Sequence, residues 1–410
     1  MYPSGSIAQC STVVLTVARL AFGNERRRGF TTGCAAESMV GLIRFYLAIS
    51  VAVWHISDGW EVMINGYLAV IFFYMISGYY MSMVLNDTYR GPGSTCRFYF
   101  ARYLRLYPAY LVVAVFSILF WRHADPSRLA LPAFVSAPFT WLFTSFSNAS
   151  IFGLDALHLI TVELPDQSLP RLIGPGWSLG IELQFYLLAP FLVRRSLKVA
   201  VSILILSLML RFSMLPLRYD PWRYYFSPSV FCFFFMGHVS HRLGALLQDG
   251  ALKRRIGLLA LVALPGLGYL NGVNVVRDID RLDTWIFLIL SAASLPFVFA
   301  LTKNWKFDGA IGDLSYPLYL VHELAFSVVA ISLGSSEGVL ALGYSWAAFA
   351  LVLAVLAAII LHVVIERPLE KLRRRVKTQK SAPISIALIP QSVRVTGSAE
   401  KFKADSALVK

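Results

Sequence analysis

Ten stretches of this chain read as long and apolar enough to cross a bilayer, near 41–58, 66–85, 106–121, 177–193, 197–216, 226–243, 256–272, 284–302, 313–334 and 344–365. A hydrocarbon core of about 30 Å requires roughly 17–25 mostly apolar residues per helix. Inside it, only segments that satisfy their own backbone hydrogen bonds survive. The predicted fold is therefore all-α, a polytopic membrane helix bundle of about ten transmembrane helices. Composition agrees: 57% of the 410 residues are hydrophobic and 15% charged, where soluble domains carry about a quarter charged residues. The same balance excludes intrinsic disorder. Four scattered cysteines (Cys10, Cys34, Cys96, Cys232) form no bridge or metal-ligand spacing. A further apolar stretch, 131–149, is broken by Pro132 and Pro138. It reads as a re-entrant or interfacial segment, because irregular backbone at membrane depth must be buried in protein or face water.

The net charge of +14 would suggest nucleic acid in a soluble protein. In a membrane protein it reads as basic residues kept in cytoplasmic loops, so no nucleic-acid partner is expected. With a cytoplasmic N-terminus, the inner loops hold Arg90, Arg97, Arg102, Arg105, Arg194, Arg195, Lys198, Arg242, Lys253, Arg254, Arg255, Lys303 and Lys306. The outer loops hold Arg122, Arg128, Arg171, Arg218, Arg223, Arg277 and Arg281, seven against thirteen. Both tails are basic too, and an even number of spans puts both inside, whereas eleven would leave one outside. The expected division is a cytoplasmic extension over 1–40, a membrane domain over 41–370 and a basic, disordered cytoplasmic tail over 371–410. In the extension, the apolar run Val13–Phe22 precedes Arg26, Arg27 and Arg28, the reverse of a secretory signal, so residues 1–38 are expected to be dispensable or to come from an upstream start codon.

Ionisable residues inside spans are costly and by default mark function. Here they are Arg44 and His55 in the first span, Glu182 in the fourth, and His322 beside Glu323 in the ninth. Bland readings stand beside the functional ones. Either His can bond a carbonyl of a neighbouring helix, Glu182 can pair with an interior Arg, and Arg44 can anchor its helix at the headgroups. Arg211 is expected to snorkel to the interface. His238 and His241 lack a third ligand and read as structural, and no metal is expected. His362 and Glu366, one turn apart, read as a helix-end pair.

Six runs taken together resemble the membrane acyltransferase-3 family: Arg44-x10-His55, "FFYMISGYYMS" at 72–82, "RFYFARYLRLYP" at 97–108, "GWSLGIELQFYLLAPFL" at 176–192, "IGDLSYPLYLVHE" at 311–323 and "IERPLEKLRRR" at 365–375. The resemblance covers about 41–375. It implies a multi-pass protein of the bacterial inner membrane that O-acylates a cell-surface glycan or lipid-linked saccharide from acyl-CoA, with acetyl-CoA the expected donor. The family's Arg-x10-His motif falls on Arg44 and His55, with His55 essential for transfer. Its Arg-x-x-Arg pair falls on Arg102 and Arg105, its Trp-Ser-Leu-x-x-Glu motif on Trp177, Ser178, Leu179 and Glu182, and its Ser-Gly pair on Ser77 and Gly78. Its late signature falls on Ser315, Tyr316, Tyr319 and His322. Two departures stand out: span two lacks the Gly-Val-Asp opening of many relatives, and no fused hydrolase-like segment lies within 1–410. The chain is expected to act alone or with a separate partner.

The implied chemistry needs a base for a sugar hydroxyl, a role that an imidazole fills near neutral pH, or an imidazole that briefly carries the acyl group. The expected catalytic set is His55, Glu182 and His322. Arg44, Arg102, Arg105, Ser77 and Gly78 are the expected donor-binding set, since guanidinium forks suit CoA phosphates and small residues leave room for its arm. Trp177, Ser178 and Tyr319 are the expected acceptor contacts. A proton-coupled secondary transporter or glycan exporter is the competing reading, because interior His and Glu also suit a proton relay. No internal repeat or pair of broken helices favours it.

Overall fold

The computed structural model describes residues 40–378 apart from 58–62, 92, 132–134, 136, 164–168, 215–219, 276–279, 304 and 306. The N-terminal extension and the tail beyond 378 lie outside the described residues. Helices account for the ordered structure, and no strand occurs among the described residues. They are α1 Gly41–Ile56, α2 Gly66–Asp87, α3 Ser94–Ala124, α4 Pro138–Ser150, α5 Leu154–Glu163, α6 Gly176–Leu192, α7 Leu197–Ser213, α8 Asp220–Tyr225, α9 Ser227–Gly244, α10 Ala251–Val275, α11 Leu282–Thr302, α12 Asp308–Gly312, α13 Ser315–Ser332, α14 Tyr344–Leu361 and α15 Arg367–Thr378. A widened π turn, His362–Glu366, joins the last two.

Each of the ten apolar stretches overlaps a helix within its described residues. Among the described residues, five stretches are long and apolar enough to cross a membrane by themselves: Gly66–Asp87, Ser94–Ala124, Leu282–Thr302, Asp308–Ser332 and Tyr344–Arg373, with Gly41–Ile56 apolar but shorter. The molecule is a membrane protein, and its surface shows it. Leu206, Met209, Leu259, Val262 and Ile360 are exposed, while Ser207, Ser240, Ser291 and Thr284 are buried. Large apolar faces of this kind are not left in water. The segment at 131–149 contains α4, about 20 Å long at 1.5 Å per residue. Its buried residues are Thr144, Ser147 and Asn148, whereas Phe139, Leu142 and Phe146 face outward.

At the centre, α2 packs along α9, and around this pair stand α1, α6, α7 and α11. Two glycines permit the close α2–α9 approach. A Cβ on Gly78 would lie 1.8 Å from the Phe234 carbonyl oxygen, and one on Gly237 would lie 1.9 Å from that of Met75. Small residues that let backbones touch are the usual means of packing helices in lipid, where no hydrophobic force joins them. Helix α1, which carries Arg44 and His55, packs against α2, α12 and α13. Its first amides would be unpaired, but Asp308 accepts from Gly41 N at 2.8 Å and Leu42 N at 2.9 Å, and Thr302 Oγ1 accepts from Val40 N at 3.1 Å. A carboxylate distant in sequence thus caps α1 and sets its depth.

Two expectations need correction. Arg211 does not snorkel. It is fully buried, its Nε donating to Asp280 Oδ1 at 2.7 Å, and Arg223 Nη1 donates to Asp280 Oδ2 at 2.6 Å. One carboxylate shared by two guanidinium groups, with the Phe233 ring 5.0 Å from Arg211 Cζ, keeps the charge off the lipid. Nor is 371–378 a disordered tail, since α15 runs to Thr378 and packs on α3. His238 and His241 each meet the Ser82 hydroxyl at 2.8 Å through Nδ1, and His362 Nδ1 pairs with Glu366 Oε2 at 2.9 Å, as a structural pair and a helix-end pair should.

Candidate active site

Two cavities meet inside the bundle, with Val70 and Tyr319 lining both. The smaller, about 90 Å³, is lined by Arg44 of α1, Ser77 of α2, Arg102 and Arg105 of α3, and Ser178, Glu182 and Tyr186 of α6. Arg102 and Arg105 are three apart and so share a face of α3. The Arg102 guanidinium lies 5.9 Å from the Phe98 ring centre and 5.8 Å from that of Tyr186. Arg105 Nη1 is 3.8 Å from Asp313 Oδ1. Glu182 Oε1 accepts from the Ser77 and Tyr186 hydroxyls, each at 2.5 Å. Three guanidinium groups against one carboxylate, Glu182, give this cavity a net positive lining.

The larger cavity, about 600 Å³, holds His55 and Glu323. His55 Nδ1 lies 3.0 Å from Val51 O and 3.1 Å from His322 Nε2, while its Nε2 lies 3.3 Å from Glu323 Oε1. His322 is fully buried behind it, with Nδ1 3.1 Å from Leu318 O. These contacts fix the tautomers, because a ring nitrogen facing a carbonyl must carry hydrogen. Both Nδ1 atoms are therefore N–H donors. His322 Nε2 is left as an acceptor for His55, and His55 Nε2 is left facing the cavity and the Glu323 carboxylate.

A collar of rings lines the cavity that holds this pair. Trp54 meets Tyr67 edge-on at 4.9 Å, Tyr67 meets Tyr224 at 4.6 Å, Tyr224 meets Trp177 at 5.0 Å, Trp177 meets Tyr225 at 4.7 Å and Tyr225 meets His158 at 4.2 Å. Flat apolar faces with polar edges are the surface that stacks on sugar rings. The partition between the cavities is tied by hydrogen bonds: Tyr319 OH and Ser178 Oγ are 2.7 Å apart, and both reach Pro175 O.

The structure thus gathers Arg44, Arg102, Arg105, Ser77 and Glu182 in one cavity, and His55, Trp177 and Tyr319 at the other, with His322 supporting His55. Gly78 lies at the α2–α9 crossing instead and lines neither cavity. Glu182 bonds hydroxyls, and the carboxylate against the imidazole is Glu323. Sequence reasoning noted Glu323 only as the neighbour of His322. One donor atom from each of His55, His322 and Glu323 lies within 4.8 Å of the other two, a set that can hold a metal ion, although both imidazoles already direct Nδ1 to helix carbonyls.

A lipid-facing bundle with interior imidazole, carboxylate and guanidinium groups around two cavities has the features of a membrane enzyme or carrier. Residues 40–364 match the family model described as an acyltransferase domain, and the chain belongs to this acyltransferase-3 family. It is accordingly a membrane acyltransferase. No curated protein and no solved structure matches the chain.

Proposed function

We propose that this protein moves an acyl group, acetyl in the simplest case, from acyl-CoA to a hydroxyl of a cell-surface glycan or lipid-linked saccharide. The reading includes a bacterial inner-membrane location, about ten crossings and both termini in the cytoplasm. The single observation that carries it is the adjacency of a guanidinium-lined cavity and an imidazole-bearing, aromatic cavity that share a wall at Tyr319. Arg44, Arg102 and Arg105 suit the phosphates of CoA, and the ring collar suits a sugar.

In this scheme His55 Nε2 takes the proton of the acceptor hydroxyl as its oxygen attacks the thioester carbonyl carbon. The C–S bond then breaks, and the thiolate leaves with the proton returned by the imidazolium. Val51 O and His322 Nε2 hold the ring so that Nε2 is the only free base, and Glu323 stabilises the charged ring, as a carboxylate does in hydrolytic triads.

Membranes containing wild-type protein or His55→Ala are incubated with radiolabelled acetyl-CoA, and label on glycan is counted. Wild type labels glycan, and His55→Ala loses about 10²-fold or more at equal protein level. Persistent labelling by His55→Ala, or none by wild type, overturns the proposal.

A further inference from the structure

The larger cavity contains a cation with no hydrogen-bond or ion-pair partner among the described residues. Arg171 lines it, in the loop between α5 and α6, and makes no hydrogen bond or ion pair among the described residues. The one carboxylate in the described lining, Glu323, is engaged by His55 Nε2 at 3.3 Å. The other guanidinium in the lining, Arg128, is occupied: it stacks 4.2 Å over Trp121 and pairs with Asp125 at 3.5 Å. Burial pushes the Arg171 guanidinium down from its ordinary value, with Glu323 and Tyr225 acting the other way. A partly desolvated charge is unfavourable unless it is paired, and the carboxylate of the described lining that attracts it, Glu323, is already against His55.

The loop is built to hold this side chain in place. Asn148 of α4 clamps the backbone on both sides of it, its Nδ2 donating to Pro170 O at 2.8 Å and its Oδ1 accepting from Leu172 N at 3.0 Å. Asn148 is itself buried and anchored, with Nδ2 also 2.9 Å from Thr144 O and its carbonyl accepting from Tyr110 OH at 2.8 Å. Three residues on, Gly174 lies against the Glu323 carboxylate, where a Cβ would sit 1.8 Å from Oε2. One short loop therefore presents a positioned guanidinium to the cavity and also abuts the carboxylate beside His55.

We infer that the acceptor carries an anionic group, a carboxylate or a phosphate, and that Arg171 receives it while the ring collar stacks on the sugar. This rests on the glycan-acceptor reading above and narrows it to acidic saccharides. Asn148 is then a positioning residue that acts through the loop.

The test is a fluorescence titration of the full-length protein in detergent, using the cavity tryptophans Trp54, Trp121 and Trp177 as reporters. The ligands are galactose, galacturonate and galactose 1-phosphate, the last two separating carboxylate from phosphate. Wild type should bind at least one charged sugar about tenfold more tightly than galactose, the equivalent of about 1.4 kcal/mol. Arg171→Gln should abolish that preference while binding galactose as wild type does, which shows the cavity is intact. Arg171→Lys should restore part of it, and Asn148→Ala should weaken it without removing any charge. Equal binding of all three sugars by wild type, or a preference that survives Arg171→Gln, overturns the anionic-acceptor inference alone. Binding of none of them overturns the glycan-acceptor reading and this inference with it.

Discussion

Replacing Glu323 by Gln keeps the shape of the side chain and removes the charge that faces His55 Nε2 at 3.3 Å. At an effective dielectric of about 20, a unit pair at that distance interacts by roughly 5 kcal/mol. The two side chains are 28% and 34% exposed, so solvent in the cavity screens the pair, and about half survives, near 2.5 kcal/mol. That energy is available only when the imidazole carries charge, which is when it holds the hydroxyl proton. The loss therefore falls on the chemical step: roughly a 70-fold drop in kcat, with the KM for acyl-CoA unchanged because the arginine cavity is untouched. His55→Ala removes the base itself and should lose more. Initial rates of label transfer in membranes, normalised to protein amount, give both numbers. A Glu323→Gln rate within threefold of wild type, or an effect confined to the donor KM, refutes the assignment of Glu323 as the partner of His55.

Gly174→Ala should displace the Glu323 carboxylate, and its rate loss should not add to that of Glu323→Gln in the double variant, as read by the same assay. Asp308→Ala removes both acceptors at the start of α1 and should destabilise the protein by about 1–2 kcal/mol, measured as a lower thermal midpoint in detergent, with Asp308→Asn less affected. Gly78→Ala forces a methyl against the Phe234 carbonyl and should lower the same midpoint by the overpacking cost of about 1–3 kcal/mol. A strong chelator should leave the transfer rate within twofold; a larger loss restored by Zn²⁺ would assign a cation to His55, His322 and Glu323.

The helices were legible in the chain because lipid imposes a length and a polarity that a single strand of text displays. Span-by-span rotation was not. Arg44 and His55 sit on the same helix, and their spacing says nothing of whether they share a cavity; in the fold they line different ones. Glu182 and Glu323 look alike as membrane carboxylates, and only the packing of α1 on α13 shows which of them reaches the imidazole. Arg211 reads as an interfacial residue because its partner, Asp280, lies far along the chain in another segment. Arg171 counts as one more loop charge until Asn148, from a segment read as re-entrant or interfacial, is seen gripping the backbone to either side. Long-range side-chain bonds of this kind leave no periodic trace in sequence.

Val70 and Tyr319 have an electrical consequence. In a membrane acyltransferase, two polar cavities that meet inside the bundle would leak protons unless something insulates one from the other. Here a tyrosine ring and a valine stand at that meeting point, and the phenol is fastened to Ser178 and to the Pro175 carbonyl. On the proposed reading, donor and acceptor sites lie one side chain apart, and that side chain is also the partition a proton would have to pass.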